Sequence, residues 1–385
     1  MEHRILFVTA VTDNFPDGQK ITGAKIKYNC DISYRVRPED FRVEGKTITA
    51  FRAEGDTVTL TLEPTALIPP PPKPPKPPKG AGGPPHGKKG PPNLPPAVRL
   101  PVEVTVVADG TAYRSERSME PVVEDFQQHQ RNGMWYNLYI PKLEEGKTYP
   151  LVLFLHDAGV CGPDPKTTLS QGNGAVSFAD AAWQTKHPCF VLAPQVDKGR
   201  NGPMTNDDFE VTDDFDRVKD ILDHVLSAYP VDKKRVYTTG QSMGCMASCE
   251  LNIRYPDLFA ASLLVAGQWS PEKMAQACPN NKLWILVSEG DQKACPGMTA
   301  VTDAMEKAGA TVLRSRWDGT KTPEELTQLA YTEMKKAGNV RFTIFEGSTV
   351  LRDFTDPNPG AHHMATWPVA YGIVGLKEWL FSNSK

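Results

Sequence analysis

Gly240-Gln241-Ser242-Met243-Gly244 is the stretch of this chain best equipped for chemistry. It follows a β-branched, aromatic run, Arg235-Val236-Tyr237-Thr238-Thr239, and precedes a segment that reads as a helix. Strand, G-x-S-x-G, helix is the setting in which the motif presents a serine nucleophile on a tight turn. Glycines leave room for the turn where a Cβ would meet a neighbouring element. A bare G-x-S-x-G is also an ordinary glycine turn, so the remaining groups decide. A serine needs a base to take its proton and a carboxylate to orient that base. Asp291 lies in Ser288-Glu289-Gly290-Asp291, just after the apolar run Leu283–Val287, and is the candidate acid, with Glu289 as substitute. The base is sought in Gly360-Ala361-His362-His363-Met364-Ala365-Thr366-Trp367, read as a loop before the last helix. His363 is favoured as base; His362 is the alternative, or else lines the cleft or caps the helix. His156 and His187 precede the acid in the chain and are set aside.

The negative charge that develops in acyl transfer needs two N–H donors. One is the backbone N–H of Met243. The other is sought in His156-Asp157-Ala158-Gly159, after the run Leu151–Leu155, with Ala158 favoured over Asp157. Asp157 stands where a glycine is usual. Gln195 and Trp269 follow apolar runs and, with His362, are the candidate substrate-binding residues; Trp183 and Trp317 are weaker ones. An aromatic pocket would suit a phenolic acyl group, although each tryptophan is equally explained by packing.

These groups need a scaffold that gathers loops at one edge. From Trp135 onward, apolar runs (135–140, 151–155, 189–193, 236–239, 261–265, 283–287, 341–345) alternate with helix-like segments (213–229, 243–254, 301–308, 323–336, 371–381). Strands alternating with helices predict a doubly wound, mostly parallel α/β sheet, with active groups beyond the carboxyl ends of its strands. Residues 1–127 read as short strands with turns at Glu44-Gly45-Lys46 and Glu54-Gly55-Asp56, which predicts a small all-β sandwich. A Pro/Lys/Gly-rich segment (about 64–97) interrupts it and reads as an inserted loop rather than a linker, because strand-like sequence resumes at Val98. Residues 128–385 form the expected catalytic part.

Composition narrows the classes. The net charge of −3 and the absence of a basic stripe argue against nucleic-acid binding. No apolar run is long enough to span a bilayer. No metal-ligand spacing or cofactor motif is present, so neither is expected. The seven cysteines are an odd number, and a Cys278–Cys295 disulfide is entertained; Cys245 and Cys249, at i and i+4, read as buried thiols. Met1–Arg4 lacks the apolar core of a signal peptide. An extracellular or periplasmic protein with its leader outside this sequence is expected, with the cytoplasm as the alternative.

The stretches Trp135–Pro141, Tyr149–Gly159, Gly240–Gly244 and His363–Tyr371 resemble the EstA-like and feruloyl-esterase-like esterases, related to prolyl oligopeptidase and polyhydroxybutyrate depolymerase. The resemblance covers most of 135–385 and is weaker in 1–126. It implies an α/β-hydrolase fold preceded by an immunoglobulin-like domain, with Ser242, Asp291 and His363 as the triad. It implies a serine carboxylesterase acting on acyl groups of plant polysaccharide, of feruloyl or acetyl esterase type. A polyester or short-chain acyl esterase is the alternative; a peptidase or a non-catalytic binding protein ranks lower. Cys245 departs from the usual second glycine after the elbow, and Cys161 sits beside the oxyanion loop.

Overall fold

A computed structural model describes residues 3–69, 96–197, 203–352 and 359–385. The core of the expected Pro-rich insertion, 70–95, lies outside the described residues. In the N-terminal part, strands β1 (Ile5–Phe15), β2 (Gly18–Tyr28), β3 (Phe41–Val43), β4 (Ile48–Glu54), β5 (Thr57–Ala66), β6 (Thr105–Ala108), β7 (Thr111–Arg114) and β8 (Arg117–Met119) build two sheets. Their orders are β4-β5-β2-β1-β8 and β3-β6-β7. Both sheets feed one apolar cluster that holds Val8, Ile26, Leu60 and Leu62 from one and Phe41, Val43 and Val106 from the other. Leu67, before the Pro-rich segment, and Val104, after it, lie in that same cluster. Gly45 and Gly55 take positive φ (66° and 58°) in the two hairpin turns, a conformation glycine adopts at no steric cost.

The rest of the chain forms a nine-stranded sheet from β9 (Gln127–Arg131), β10 (Met134–Tyr139), β11 (Tyr149–Leu155), β12 (Phe190–Gln195), β13 (Val231–Gln241), β14 (Ala261–Val265), β15 (Leu283–Ser288), β16 (Val312–Trp317) and β17 (Val340–Phe345). The order is β16-β17-β15-β14-β13-β11-β12-β10-β9. All neighbours from β16 to β12 are parallel; β10 and β9 are antiparallel. This is the α/β-hydrolase type of doubly wound sheet, as expected. Every residue of β11 is buried, because helices cover both faces. Its side chains alternate between two cores: Val152 and Phe154 join one, Leu151, Leu153 and Leu155 the other.

The helix Asp213–Ala228 buries Phe215, Val218, Ile221, Leu222 and Val225 along one stripe, as the apolar spacing predicts. The helix Met243–Arg254 is buried almost all round, which fits its position behind the elbow. The last segment differs from expectation. It forms two helices, Pro359–Gly372 and Val374–Phe381, so both candidate histidines sit on a helix rather than a loop. The proposed Cys278–Cys295 disulfide does not form; both thiols are free. They flank opposite ends of β15, whose six residues span about 20 Å, whereas a disulfide needs Cα atoms within about 7 Å.

The two parts meet through buried polar groups. Arg99 pairs with Glu120, and Lys166 Nζ reaches Glu120 Oε1 at 3.1 Å. Arg99 Nε donates to Ser170 Oγ at 2.8 Å, and Ser170 Oγ donates to Gln19 Oε1 at 2.7 Å. Burial alone would raise the Glu120 carboxyl, but the Arg99 and Lys166 charges and the Gln19 donor outweigh it and hold it below the usual range. A depressed folded-state pKa contributes stability that is present above the unfolded value of 4.5 and is lost as pH falls through the folded value. Arg99→Ala, which leaves Glu120 with only Lys166 and Gln19 as side-chain partners, is expected to lower stability by about 2 kcal/mol in urea unfolding at neutral pH. Glu120→Gln is expected to flatten the acid limb of stability against pH below 4.5.

Candidate active site

β13 ends at Gln241 and the next helix starts at Met243, so Ser242 alone makes the turn. It does so at φ 52°, ψ −118°, in the positive-φ region that costs a non-glycine residue strain. Its N–H donates to Val265 O at 3.0 Å, which pins the turn to β14. The flanking glycines are required by space. A Cβ on Gly244 would lie 1.9 Å from Leu155 O, and one on Gly240 would lie 2.5 Å from Gly244 C. Cys245, the departure noted in the sequence, is accommodated by Gly267, where a Cβ would meet Cys245 Sγ at 2.5 Å.

Ser242, His363 and Asp291 come together. His363 Nε2 lies 2.8 Å from Ser242 Oγ, and His363 Nδ1 lies 2.5 Å from Asp291 Oδ2. An ionised carboxylate only accepts, so Nδ1 carries the proton and Nε2 accepts from the serine hydroxyl. Asp291 Oδ1 accepts from the Lys293 and Ala294 N–H groups at 3.1 and 3.0 Å. Burial pushes the Asp291 carboxyl up, but the bond to His363 and the two N–H groups win and hold it below the usual range. The His363 side chain is 27% exposed and that of Asp291 4%, so the imidazole is reachable from outside and the carboxylate is not. Glu289 is engaged elsewhere, with Arg316 at 2.7 Å and the Gly347 N–H at 2.7 Å.

His362 turns away from Ser242. Its Nδ1 lies 3.2 Å from Ser288 Oγ, and its ring fills the space over Gly290, where a Cβ would be 2.2 Å from Nδ1. The two candidate oxyanion donors each stand at the start of a helical turn. Ala158 starts a short 3-10 turn after β11, and Met243 starts its helix. Among the described residues neither N–H has a partner. His156 is buried, its Nδ1 donating to Asp157 O at 2.7 Å and its Nε2 accepting from the Val196 N–H at 3.0 Å. Burial holds it below the usual histidine value.

Two expected substrate-binding residues have other tasks. Gln195 is buried; its Oε1 accepts from the Thr168 N–H at 2.8 Å and its Nε2 donates to Val160 O at 2.9 Å and Gly162 O at 3.2 Å. It ties down the loop that follows β11. Trp269 is buried as well, with Nε1 donating to Glu250 Oε2 at 2.9 Å and its ring against Phe209. Trp183 and Trp317 belong to the apolar core. One ring neighbour of His363 was missed: Trp367 meets it edge-on at 5.4 Å; Met364, next in sequence, is 48% exposed. The signal was the i, i+4 spacing of His363 and Trp367, which shares a face only on a helix.

No family model matches the chain. It is 28% identical over 102 residues to poly(3-hydroxyalkanoate) depolymerase C of Paucimonas lemoignei, covering 24% of this chain and 25% of that protein. It is 24% identical over 164 residues to acetylxylan esterase A of Aspergillus awamori, covering 41% of this chain and 50% of that one. The chain therefore spans half or less of the length of these curated relatives. Among solved structures, a thermostable esterase superposes with a TM-score of 0.74 at 22% identity, covering 99% of this chain and 100% of that one. The shared fold thus includes the N-terminal β part.

The elbow geometry sets an expectation. Gly244→Ala should lower the thermal midpoint by more than about 5 °C, because a backbone carbonyl cannot move aside as a side chain can. Gly372→Ala, whose added Cβ would have nothing within 4 Å, should leave the midpoint unchanged or raise it slightly. Equal effects of the two substitutions would count against the close approach.

Proposed function

We propose that this protein is a serine carboxylic-ester hydrolase with Ser242, His363 and Asp291 as its triad. The observation that carries the reading is the bridge His363 makes between Ser242 Oγ and Asp291 Oδ2. Ser242 Oγ attacks the ester carbonyl while His363 Nε2 takes its proton. Asp291 keeps the ring in the required tautomer and offsets the charge it gains. The N–H groups of Met243 and Ala158 receive the oxyanion, an interaction on the order of 3 kcal/mol per donor in the transition state. His363 then passes its proton to the leaving alcohol, and a water that it activates releases the acid from Ser242.

For the substrate we propose acyl esters of plant polysaccharide, acetyl or feruloyl. The partial similarity to an acetylxylan esterase supports the acetyl form, and the aromatic Trp367 beside the base supports a flat acyl group. A polyester or short-chain ester is the second reading, favoured by the similarity to a polyhydroxyalkanoate depolymerase. We take the N-terminal two-sheet part as an immunoglobulin-like support for the catalytic part.

The test is hydrolysis of p-nitrophenyl acetate and butyrate, methyl ferulate, acetylated xylan and a soluble hydroxybutyrate oligomer. Ser242→Ala, His363→Ala and Asp291→Asn should each reduce kcat by about 10⁴-fold or more. His362→Ala should retain most activity. Turnover of the oligomer without turnover of xylan or ferulate would transfer the substrate assignment to the second reading. Activity that survives in Ser242→Ala would remove the serine mechanism.

A further inference from the structure

Asp157 occupies a position where the sequence pattern calls for glycine, and the residue is 5% exposed. Among the described residues no Lys or Arg pairs with it. Its two carboxylate oxygens are instead committed to neutral donors. Oδ1 accepts from the Gly159 N–H at 2.8 Å, and Oδ2 accepts from Gln241 Nε2 at 3.1 Å. Gln241 Nε2 also donates to Gln171 Oε1 at 3.2 Å. The Asp157 backbone carbonyl receives His156 Nδ1–H at 2.7 Å. A Cβ on Gly159 would sit 2.8 Å from Oδ1, so the glycine is what lets the carboxylate fold over the turn.

Ala158 lies between Asp157 and Gly159, and Gln241 immediately precedes Ser242. One carboxylate therefore holds both the turn that carries the Ala158 N–H and the residue that enters the elbow. We propose that Asp157 is a positioning residue that fixes the Ala158 N–H relative to Ser242. The inference rests on the ester-hydrolase reading above. A buried carboxylate is costly unless its oxygens are hydrogen-bonded. The same cost opposes any rotation of the turn that would break those bonds, and this gives the loop stiffness that a glycine at 157 would lack.

The experiment compares Asp157→Ala and Asp157→Asn with wild type on p-nitrophenyl acetate. It adds binding of an aryl trifluoromethyl ketone, which forms a tetrahedral adduct with a serine, and amide hydrogen exchange over 155–161. In Asp157→Ala we expect kcat to fall about 100-fold, KM to stay within about two-fold, and ketone affinity to fall in step with kcat. Exchange at Gly159 should quicken. Asp157→Asn keeps an oxygen for the Gly159 N–H and should recover most of the loss. A kcat within about three-fold of wild type in Asp157→Ala would overturn the inference, as would a rise in KM at constant kcat. If wild type hydrolyses no ester, the ester-hydrolase reading itself fails. Exchange then decides on Asp157, and unchanged protection of Gly159 in Asp157→Ala overturns its structural role too.

Discussion

The site depends on how closely the helix Met243–Arg254 approaches the carboxyl end of β11. Gly244 leaves no more room than a hydrogen atom needs beside the Leu155 carbonyl. That approach brings the first turn of the helix beside the loop that leaves β11. It also forces Ser242 into positive φ, since no other residue is available to make the turn between β13 and the helix. Strain of this kind persists only where the surroundings over-determine it. Here the surroundings are the Ser242 N–H bond to Val265 O and the buried packing on both sides of the sheet.

Buried carboxylates recur where loops must hold shape. Asp291 accepts two backbone N–H groups besides the histidine. Glu250 accepts from Trp269 Nε1 and Arg254 Nε at 2.9 and 2.8 Å. In each case an acceptor-only group joins donors of its own neighbourhood to one from another segment, Trp269 for Glu250 and His363 for Asp291. A burial cost is tolerated because satisfied hydrogen bonds accompany it, and direction is gained in return. Asp291 shows how this serves chemistry. Two of its bonds fix the carboxylate and the third orients the ring, so the His363 ring inherits its angle from the backbone of the helix that begins at Ala294.

Much of this was legible in the sequence because it follows from local pattern. The fully apolar runs marked parallel strands covered on both faces, and the order of serine, acid and histidine followed the strands that carry them. Strands that break the pattern were missed: β16 carries Arg314 and Arg316 because it lies at the sheet edge, and β3 and β8 are three residues long. The choice between His362 and His363 was open because adjacent residues in a loop have no fixed relation. On a helix they diverge by about 100°, and that divergence sends one ring to Ser242 and the other to Ser288. Gln195 and Trp269 were misjudged for a different reason. Lying just past a strand predicts the correct edge of the sheet but not depth below its surface, and both side chains point inward.

The N-terminal β part belongs to the same argument. The tip between β1 and β2 rests on the segment after β11, where a Cβ on Gly18 would lie 2.9 Å from Ser170 O and one on Gly172 would lie 3.1 Å from Pro16 O. Ser170 is bonded to both Gln19 and Arg99, and its neighbour Gln171 accepts from Gln241. From the first hairpin of the chain to the residue before Ser242, each contact is thus direct or one residue removed. Apolar contacts alone would allow such a surface to slide, because burial is indifferent to direction. The hydrogen bonds of Arg99, Gln19 and Ser170 are directional, and a small displacement would leave buried polar atoms unpaired. The β part therefore constrains the orientation of the segment at 166–172, whose Gln171 meets Gln241, the residue before Ser242.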